Sequence, residues 1–310
     1  MKKIRTPKNN RIHSDTSIGT KIFKYVSLAV LIAYSLSIIL SFLFAFMISI
    51  KSEDSYMYRL LGLPIGKDLR LNNYFDVLTV LKVKIDTAEG TKYAGIIDML
   101  MNSLVFSVGG AFFASLSCCV TAYAVARFKN WMSSMIYGIV IVCMALPIVG
   151  SLPSELQILM NLNLYNRRIG LVFLASSFLG MHFLILHAAF KAIPKDFAEA
   201  AKIDGAGEWR IFLTIMFPLV KLAFFTIFLL KFMVLWNNYE TPLIHTPNYP
   251  VLSYGVFKIY KDEILSSEPD VRTMPHKIAA GMMVLLPILV LFLFTHKRLI
   301  GNVSMGGVKG

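Results

Sequence analysis

Histidines and cysteines are the residues of this sequence whose types could bind a metal or attack a substrate, but their spacing supports neither role. His182 and His187 are five residues apart, which places them about 140° from each other around a helix, so they cannot form the i, i+4 pair of a zinc site. Cys118, Cys119 and Cys143 all lie inside apolar runs and are expected to be packing residues. The sequence therefore predicts no catalytic site and no metal site.

A glycine-lysine segment is the nearest approach of this sequence to a nucleotide-binding loop. It runs from Gly62 to Asp68. It has one spacer residue fewer than a P-loop, and an aspartate stands where a magnesium site needs serine or threonine. We therefore predict that this chain itself binds no ATP, no magnesium and no other cofactor.

The most informative polar stretch is the segment 193–217, which separates two apolar parts of the chain. Gly205 can adopt the positive φ that ends a short helix, and Glu208 begins a second helix. The segment therefore predicts two short helices around a glycine turn. One face of the first helix carries side chains at i, i+3, i+4 spacing, which are Phe197, Ala200 and Ala201.

The composition shows that membrane helices must position these residues. Hydrophobic residues make up 56% of the chain, charged residues 16%, and the mean hydropathy is +0.64, whereas a soluble domain has about 25% charged residues. A soluble enzyme, a DNA-binding domain and a disordered tail are excluded, because so few polar residues cannot cover a water-exposed surface. The net charge of +13 is expected to report membrane topology and no nucleic-acid partner.

Six stretches are long and apolar enough to cross the bilayer, which requires roughly 20 residues for about 30 Å of hydrocarbon. Five contain no charged residue, and the sixth is interrupted by Lys221 and Lys231. Its phenylalanines and leucines offset the cost of about 3 kcal/mol for a central lysine. We predict an all-α membrane protein with six transmembrane helices, at residues 25–50, 99–126, 131–154, 169–190, 218–236 and 278–295.

Charges beside the spans predict that both ends of the chain lie in the cytoplasm. The tail 1–24 carries seven Lys and Arg residues against one Asp, and such positive segments stay inside. Six spans return the tail 297–310 to the same side, where its basic residues agree. Arg167 and Arg168 lie on the predicted outer side and are the exception.

The chain is interpreted as a single membrane domain, since no internal repeat or low-complexity linker is evident. Residues 99–296 form its core, with five spans and the segment 193–217. The loop 51–98 is expected on the outer surface and has enough apolar residues to fold there, although its fold is left open by the sequence.

Eight residues in and just after the segment 193–217 form a recognisable pattern: Glu199, Ala200, Ala201, Asp204, Gly205, Ala206, Ile215 and Pro218. This pattern resembles the EAA signature of the membrane subunits of binding-protein-dependent ABC importers. Further similarity, to the carbohydrate branch and its maltose-transporter-type second permease subunits, lies at Asn102, Ser103, Trp236, Asn237 and the tail 306–310. The resemblance implies the type I importer permease fold with a cytoplasmic coupling helix.

In this family the EAA segment sits in a cleft of a cytoplasmic ATPase subunit. The resemblance implies that Ala200, Ala201 and Ala206 allow close approach, that Glu199 pairs with a basic ATPase residue, and that Gly205 makes the bend. The residues alone leave a second interpretation, an amphipathic connector on the membrane surface.

The C-terminal tail has two interpretations. By resemblance it inserts between the two ATPase subunits; alternatively it is a frayed end. The residues concerned are Gly306, Gly307, Val308, Lys309 and Gly310.

Polar residues in or beside the spans are candidates for the translocation path, because such residues tend to face the interior of a helix bundle. Amides and an aromatic ring suit sugars through hydrogen bonds and stacking, although tryptophan is also common at membrane interfaces. The candidates are Asn102, Ser103, Lys231, Trp236, Asn237 and Asn238.

Together these features predict a permease subunit of an ATP-driven importer in the bacterial cell membrane. The subunit itself is predicted not to be an enzyme. The expected substrate is a sugar, oligosaccharide or glycoside. The expected partners are the lipid bilayer, a second and different permease, a solute-binding protein, and a pair of ATPase subunits that hold ATP and magnesium. Two alternatives stay open: an importer permease for another solute, and a stand-alone ion-coupled carrier or channel, which usually shows inverted repeats.

Overall fold

A computed structural model describes residues 18–87, 90–146, 150–261 and 273–303, with the side chains of 87 and 296–303 left undescribed. Most of this part is helical. Its α-helices are α1 Ile18–Ser49, α2 Glu53–Tyr58, α3 Asn72–Val80, α4 Ile96–Leu104, α5 Gly110–Arg127, α6 Trp131–Ala145, α7 Leu152–Asn161, α8 Arg168–Ala175, α9 Met181–Lys191, α10 Asp196–Ile203, α11 Glu208–Ile211, α12 Phe217–Asn237, α13 Glu240–His245, α14 Leu252–Tyr260 and α15 Met274–Val303.

The prediction of an all-α protein is wrong in one place, because the loop 51–98 contains a β-hairpin. The protein is mostly helical. Strand β1, Val83–Thr87, pairs antiparallel with β2, Gly90–Ala94. Val83 and Ile85 alternate with charged residues along β1, and both pack against apolar residues of the bundle. This period of two suits a strand that is buried on one face.

Four helices are long and apolar enough to cross a membrane: Ile18–Ser49, Ile96–Arg127, Glu208–Asn237 and Met274–Thr295. Two of them contain a π-helical turn, at Val105–Gly109 and Phe212–Met216, that joins α4 to α5 and α11 to α12. The second π turn precedes Pro218, whose ring would clash with the preceding turn of a regular helix. The wider turn therefore lets the helix continue through the proline.

The stretches predicted as the third and fourth spans have a different form. The helix α6 ends at Ala145, well before residue 154. An irregular segment separates α8 from α9, and Gly180 in it has a φ of 126°, which a helix cannot contain.

The pair α8 and α9 nevertheless runs along α5 in the same chain direction. At one end of α5, a Cβ on Gly110 would lie 3.0 Å from the Cβ of Ala175. At the other end, the rings of Tyr123 and Phe190 are 5.4 Å apart. The two short helices together therefore extend as far as α5 does.

Two large apolar clusters pack many of the described helices together, one toward each end of α5, and a small third cluster joins Phe106, Leu171 and Val251. The inner cluster joins α5, α9, α10, α11 and α12, with Cys118, Phe183 and Ile211 fully buried in it. The outer cluster joins α3, the hairpin, α4, α12, α14 and α15 around Met99 and Trp236. The segment 193–217 belongs to the inner cluster, so its position is tied to three other helices.

Candidate functional site

The helix α10 ends in a glycine turn whose hydrogen bonds are made by the backbone alone. Gly205 has a φ of 77°, its amide donates to the Lys202 carbonyl at 3.0 Å, and the Ala206 amide donates to the Ala201 carbonyl at 2.9 Å. These two bonds form a Schellman motif. Nothing lies within 4 Å of a Cβ placed at Gly205, so the backbone conformation, and not lack of space, demands glycine here.

The two faces of α10 have opposite environments. Ala198 and Ala201 are buried in the inner cluster, at 0% and 7% exposed, whereas Phe197 and Ile203 are 52% and 87% exposed. Ala200 is exposed beside Phe197. The predicted docking face is therefore divided: Ala201 anchors α10 to its own chain, and the remaining apolar residues are free to meet another surface.

An acidic residue that the sequence analysis placed only at a helix start connects α10 to the bundle. Glu208 forms an ion pair with Lys202 and accepts a hydrogen bond of 3.4 Å from the Tyr123 hydroxyl of α5. The clamp Lys202–Glu208–Tyr123 was not predicted. Its local half, an acid in the first turn after a glycine stop, is visible in the sequence, whereas Tyr123 lies 85 residues away.

Three aromatic rings continue this connection beneath the clamp. The ring of Tyr123 lies 4.9 Å from Phe212 and 5.4 Å from Phe190, and the last two rings are 6.4 Å apart. Such offset aromatic pairs add about 1 kcal/mol each beyond simple burial. The start of the span Glu208–Asn237 is thereby packed against the ends of α5 and α9.

The other residues of the EAA pattern lie around this clamp. Asp204 is exposed as the C-cap of α10, and Glu199 is exposed on its side. Ile215 is half-buried against the inner cluster and Pro218 is exposed in the first turn of α12. The predicted tail contact, Gly306–Gly310, and the basic residues before 18 lie outside the described residues.

Two predicted path residues make structural hydrogen bonds near the outer cluster. Asn102 is 5% exposed and its Nδ2 donates to the Pro250 carbonyl at 2.9 Å. The hydroxyl of Ser103 accepts a bond of 2.7 Å from the Leu252 amide. They connect α4 to the start of α14.

Trp236 is buried, with 2% of its surface exposed, and its Nε1 donates to the Val284 carbonyl of α15 at 2.9 Å. Its ring stacks on Phe232 at 5.6 Å. The structure thus brings it into the packing between α12 and α15.

The remaining path candidates lie around the outer half and end of α12. Asn237 is exposed, and Asn238 accepts from the Thr241 amide at 3.1 Å, ahead of α13. Lys231 is half-buried within α12. Within the described ranges, no group of three His, Cys, Asp or Glu side chains could hold a metal ion.

The described part of the chain is a bundle of apolar helices, four of them long enough to cross a membrane, with a glycine-terminated helix clamped to its end. Comparison with known proteins specifies the family of this membrane protein. The chain belongs to the family described as binding-protein-dependent transport system inner membrane component, whose model matches residues 118–296. This region contains both α10 and the clamp.

Curated relatives and a solved structure agree with this assignment. The diacetylchitobiose uptake system permease protein NgcG of Streptomyces coelicolor is 26% identical over 92% of this chain and 88% of its own length. The melibiose/raffinose/stachyose import permease protein MelC of Bacillus subtilis is 26% identical over 72% of this chain and 80% of its own length. A chain of a bacterial ABC transporter involved in the import of alginate, an acidic polysaccharide, has a TM-score of 0.71, 21% identity, and coverage of 91% of this chain and 98% of that chain.

The fold is therefore that of an ABC importer permease. The chain is a transport subunit and not an enzyme, and it is a multi-pass protein of the cell membrane.

Proposed function

We propose that this chain is the permease subunit of an ATP-driven carbohydrate importer, in which α10 is the cytoplasmic coupling helix. It forms the translocation path with a second permease, a solute-binding protein delivers the sugar, and a pair of ATPase subunits drives the cycle. The diacetylchitobiose and melibiose/raffinose/stachyose permeases support a sugar or oligosaccharide as the substrate.

The observation that carries this proposal is the divided face of α10. A helix needed only to reverse the chain would have no reason to expose Phe197 and Ile203 while anchoring Ala198 and Ala201. Exposed apolar side chains on a helix that is packed firmly against the bundle are typical of a protein contact surface. In the proposal that surface fits a cleft of the ATPase, and Glu199 pairs with a basic residue there.

The clamp then transmits the movement of α10. When the ATPase displaces α10, Lys202 carries Glu208 with it, and Glu208 lies in the first turn of the span Glu208–Asn237. The Tyr123 hydroxyl connects the same carboxylate to the span Ile96–Arg127. A displacement of α10 is thus passed to two spans at once, which is the geometry that inward-open to outward-open switching requires.

Six crossings are part of the proposal. The four long helices supply four. Of the other two, α6 supplies the third crossing in chain order, and α8 with α9 supplies the fourth. The packing of α8 and α9 along α5, in the same chain direction, supports one broken span. Six crossings place both ends of the chain and α10 on the same side of the membrane. The basic residues of the tail 1–24 make this the cytoplasmic side.

The sugar is proposed to pass between the two permeases along the polar residues near the end of α12. Asn237 and Lys231 supply hydrogen-bonding groups there. ATP and magnesium are bound by the ATPase subunits. The tail 306–310 is proposed to contact these subunits.

Two glycines of the same turn provide the test. Gly205 has a φ of 77°, whereas Gly207 has a φ of −70° with nothing within 4 Å of an added Cβ. Gly205→Val should therefore distort the end of α10 and abolish uptake of the transported sugar, with the protein still in the membrane. Gly207→Ala is the matched control and should transport normally.

The measurement is uptake of radiolabelled oligosaccharide by cells expressing each variant, together with co-purification of the ATPase. Normal uptake by Gly205→Val would contradict the coupling role of α10. Transport by the purified chain in liposomes without an ATPase would favour an ion-coupled carrier, and uptake of only non-sugar solutes would overturn the substrate class.

A further inference from the structure

A basic cleft lies at the ends of α5 and α9, beside the coupling helix. Its volume is about 470 Å³, and it is lined by Arg127, Lys129, Lys191 and Lys195 together with Glu199. Four positive charges therefore face one negative charge. A cleft with this excess of cations attracts anions.

None of these four cations forms an ion pair within the described part of the chain, although nearby Lys202 is paired with Glu208. Helix dipoles stabilise the charges of two of these cations, because Arg127 and Lys191 lie in the last turns of α5 and α9. A helix dipole does not stabilise the charge of Lys195. This lysine is the N-cap residue of α10, where a positive charge is unfavourable. The cluster therefore carries an excess of positive charge that no described acidic side chain pairs with.

A second cleft of about 650 Å³ adjoins the basic one and shares Lys129 and Lys191 with it. Its lining includes Phe128, Trp131 and Tyr137, and Trp131 is 73% exposed. Aromatic and basic residues together at the end of an apolar helix are typical of the membrane–water interface. The two clefts thus combine a binding place for an anion with a surface for the apolar part of the same molecule.

We propose that the two clefts bind one anionic phospholipid, with its phosphate among the cations of the basic cleft and its glycerol and upper acyl chains along Trp131 and Phe128. Basic pockets between membrane helices on the cytoplasmic side bind such headgroups. The inference rests on the proposed function only for the side of the membrane on which α10 lies. Since Lys195 and Glu199 belong to the coupling helix and its cap, a bound lipid contacts the part of the chain that the ATPase moves.

The test measures lipid retained by the purified full-length chain. The protein is delipidated in detergent, incubated with phosphatidylglycerol or phosphatidylcholine, and the bound lipid is counted by native mass spectrometry. We expect phosphatidylglycerol to be retained in preference to phosphatidylcholine. Because each cation near the lipid surface contributes about fivefold to binding, the double variant R127Q/K191Q should lower this retention about 25-fold.

Two controls separate a built site from general charge attraction. Lys221→Gln removes a cation from the exposed side of α12 that lines neither cleft, and retention should stay within about twofold, as expected for a charge outside the site. The conservative double variant R127K/K191R keeps both charges and should retain the lipid, which also shows that the fold is intact.

Three results obtained with the purified chain alone would overturn the proposal. They are equal retention of the two lipids, an equal loss in Lys221→Gln, and displacement of phosphatidylglycerol by inorganic phosphate alone, which would show a site for free phosphate. Displacement by the ATPase would likewise assign the cleft to an acidic segment of that partner. Lipid retention is measured without the ATPase, so it can succeed or fail independently of the uptake test on Gly205→Val.

Discussion

The segments 193–217 and 51–81 are held in place by different kinds of contact. The turn after α10 is closed by backbone bonds that span at most five residues, such as the one from Ala206 to Ala201. In the segment 51–81 the side chain of Asn73 donates to the carbonyls of Ser49 and Lys51, 24 and 22 residues away, both at 2.8 Å.

Lys51 shows the same non-local pattern. Its side chain is fully buried, and its Nζ donates to the carbonyls of Arg59 and Leu60, each at 2.8 Å. A buried ammonium is favourable only when such partners replace the lost water. The comparison teaches that the turn in 193–217, the segment proposed to move, is stabilised by local backbone bonds. The segment 51–81 depends instead on single polar side chains that bond to distant carbonyls.

The largest expected effect that would sharpen this comparison is at Asn73. Asn73→Ala removes both bonds and leaves two buried carbonyls without their donor, so the free energy of unfolding should fall by about 3 kcal/mol. Denaturant unfolding of the purified protein in detergent measures this. Asn72→Ala, at the exposed neighbouring asparagine, is the control and should change little; equal losses in both variants would contradict the role of Asn73.

A smaller effect is expected from the titration of Lys51. Burial lowers the pKa of this ammonium from its ordinary 10.5, although Asp68 opposes the shift. Between the lowered pKa and 10.5 the unfolded chain binds a proton that the folded chain has released, so the free energy of unfolding should rise with pH, by at most about 1.4 kcal/mol per pH unit.

Lys51→Met removes this titration. Unfolding of the two proteins should therefore show a difference that grows with alkaline pH up to about 10.5. Parallel pH curves for wild type and variant would show that Lys51 has an unshifted pKa in the folded state.

The smallest effect on stability is expected in the segment 193–217. The side chains of Lys202 and Glu208 are 48% and 35% exposed, so water screens their ion pair and Glu208→Gln should cost less than about 1 kcal/mol. Hydrogen exchange at the Ala206 amide should stay slow, because the Schellman bonds involve no side chain. A large loss of stability, or rapid exchange at that amide, would show that the clamp and not the backbone turn holds α10.

The sequence was most informative where structure depends on neighbours along the chain. The apolar runs predicted the long helices, and the glycine in Asp204-Gly205-Ala206 predicted the turn with positive φ that the structure contains. The hairpin was missed, although Val83 and Ile85 alternate with charged residues, since a strand of five residues is a weak pattern inside a loop. The break between α8 and α9 was missed because an apolar run is compatible with a helix whether or not the backbone is interrupted.

The sequence by itself determined the membrane class, the glycine turn in the segment 193–217 and the family, because these depend on composition and on contacts within one or two turns. The tertiary structure alone decided that Ala201 faces its own bundle, that Glu208 meets Tyr123, and that Trp236 bonds to Val284. These contacts join residues from 48 to 85 positions apart or depend on which side of a helix the bundle covers. The packing of whole helices sets such pairings, and no local pattern of residues encodes them.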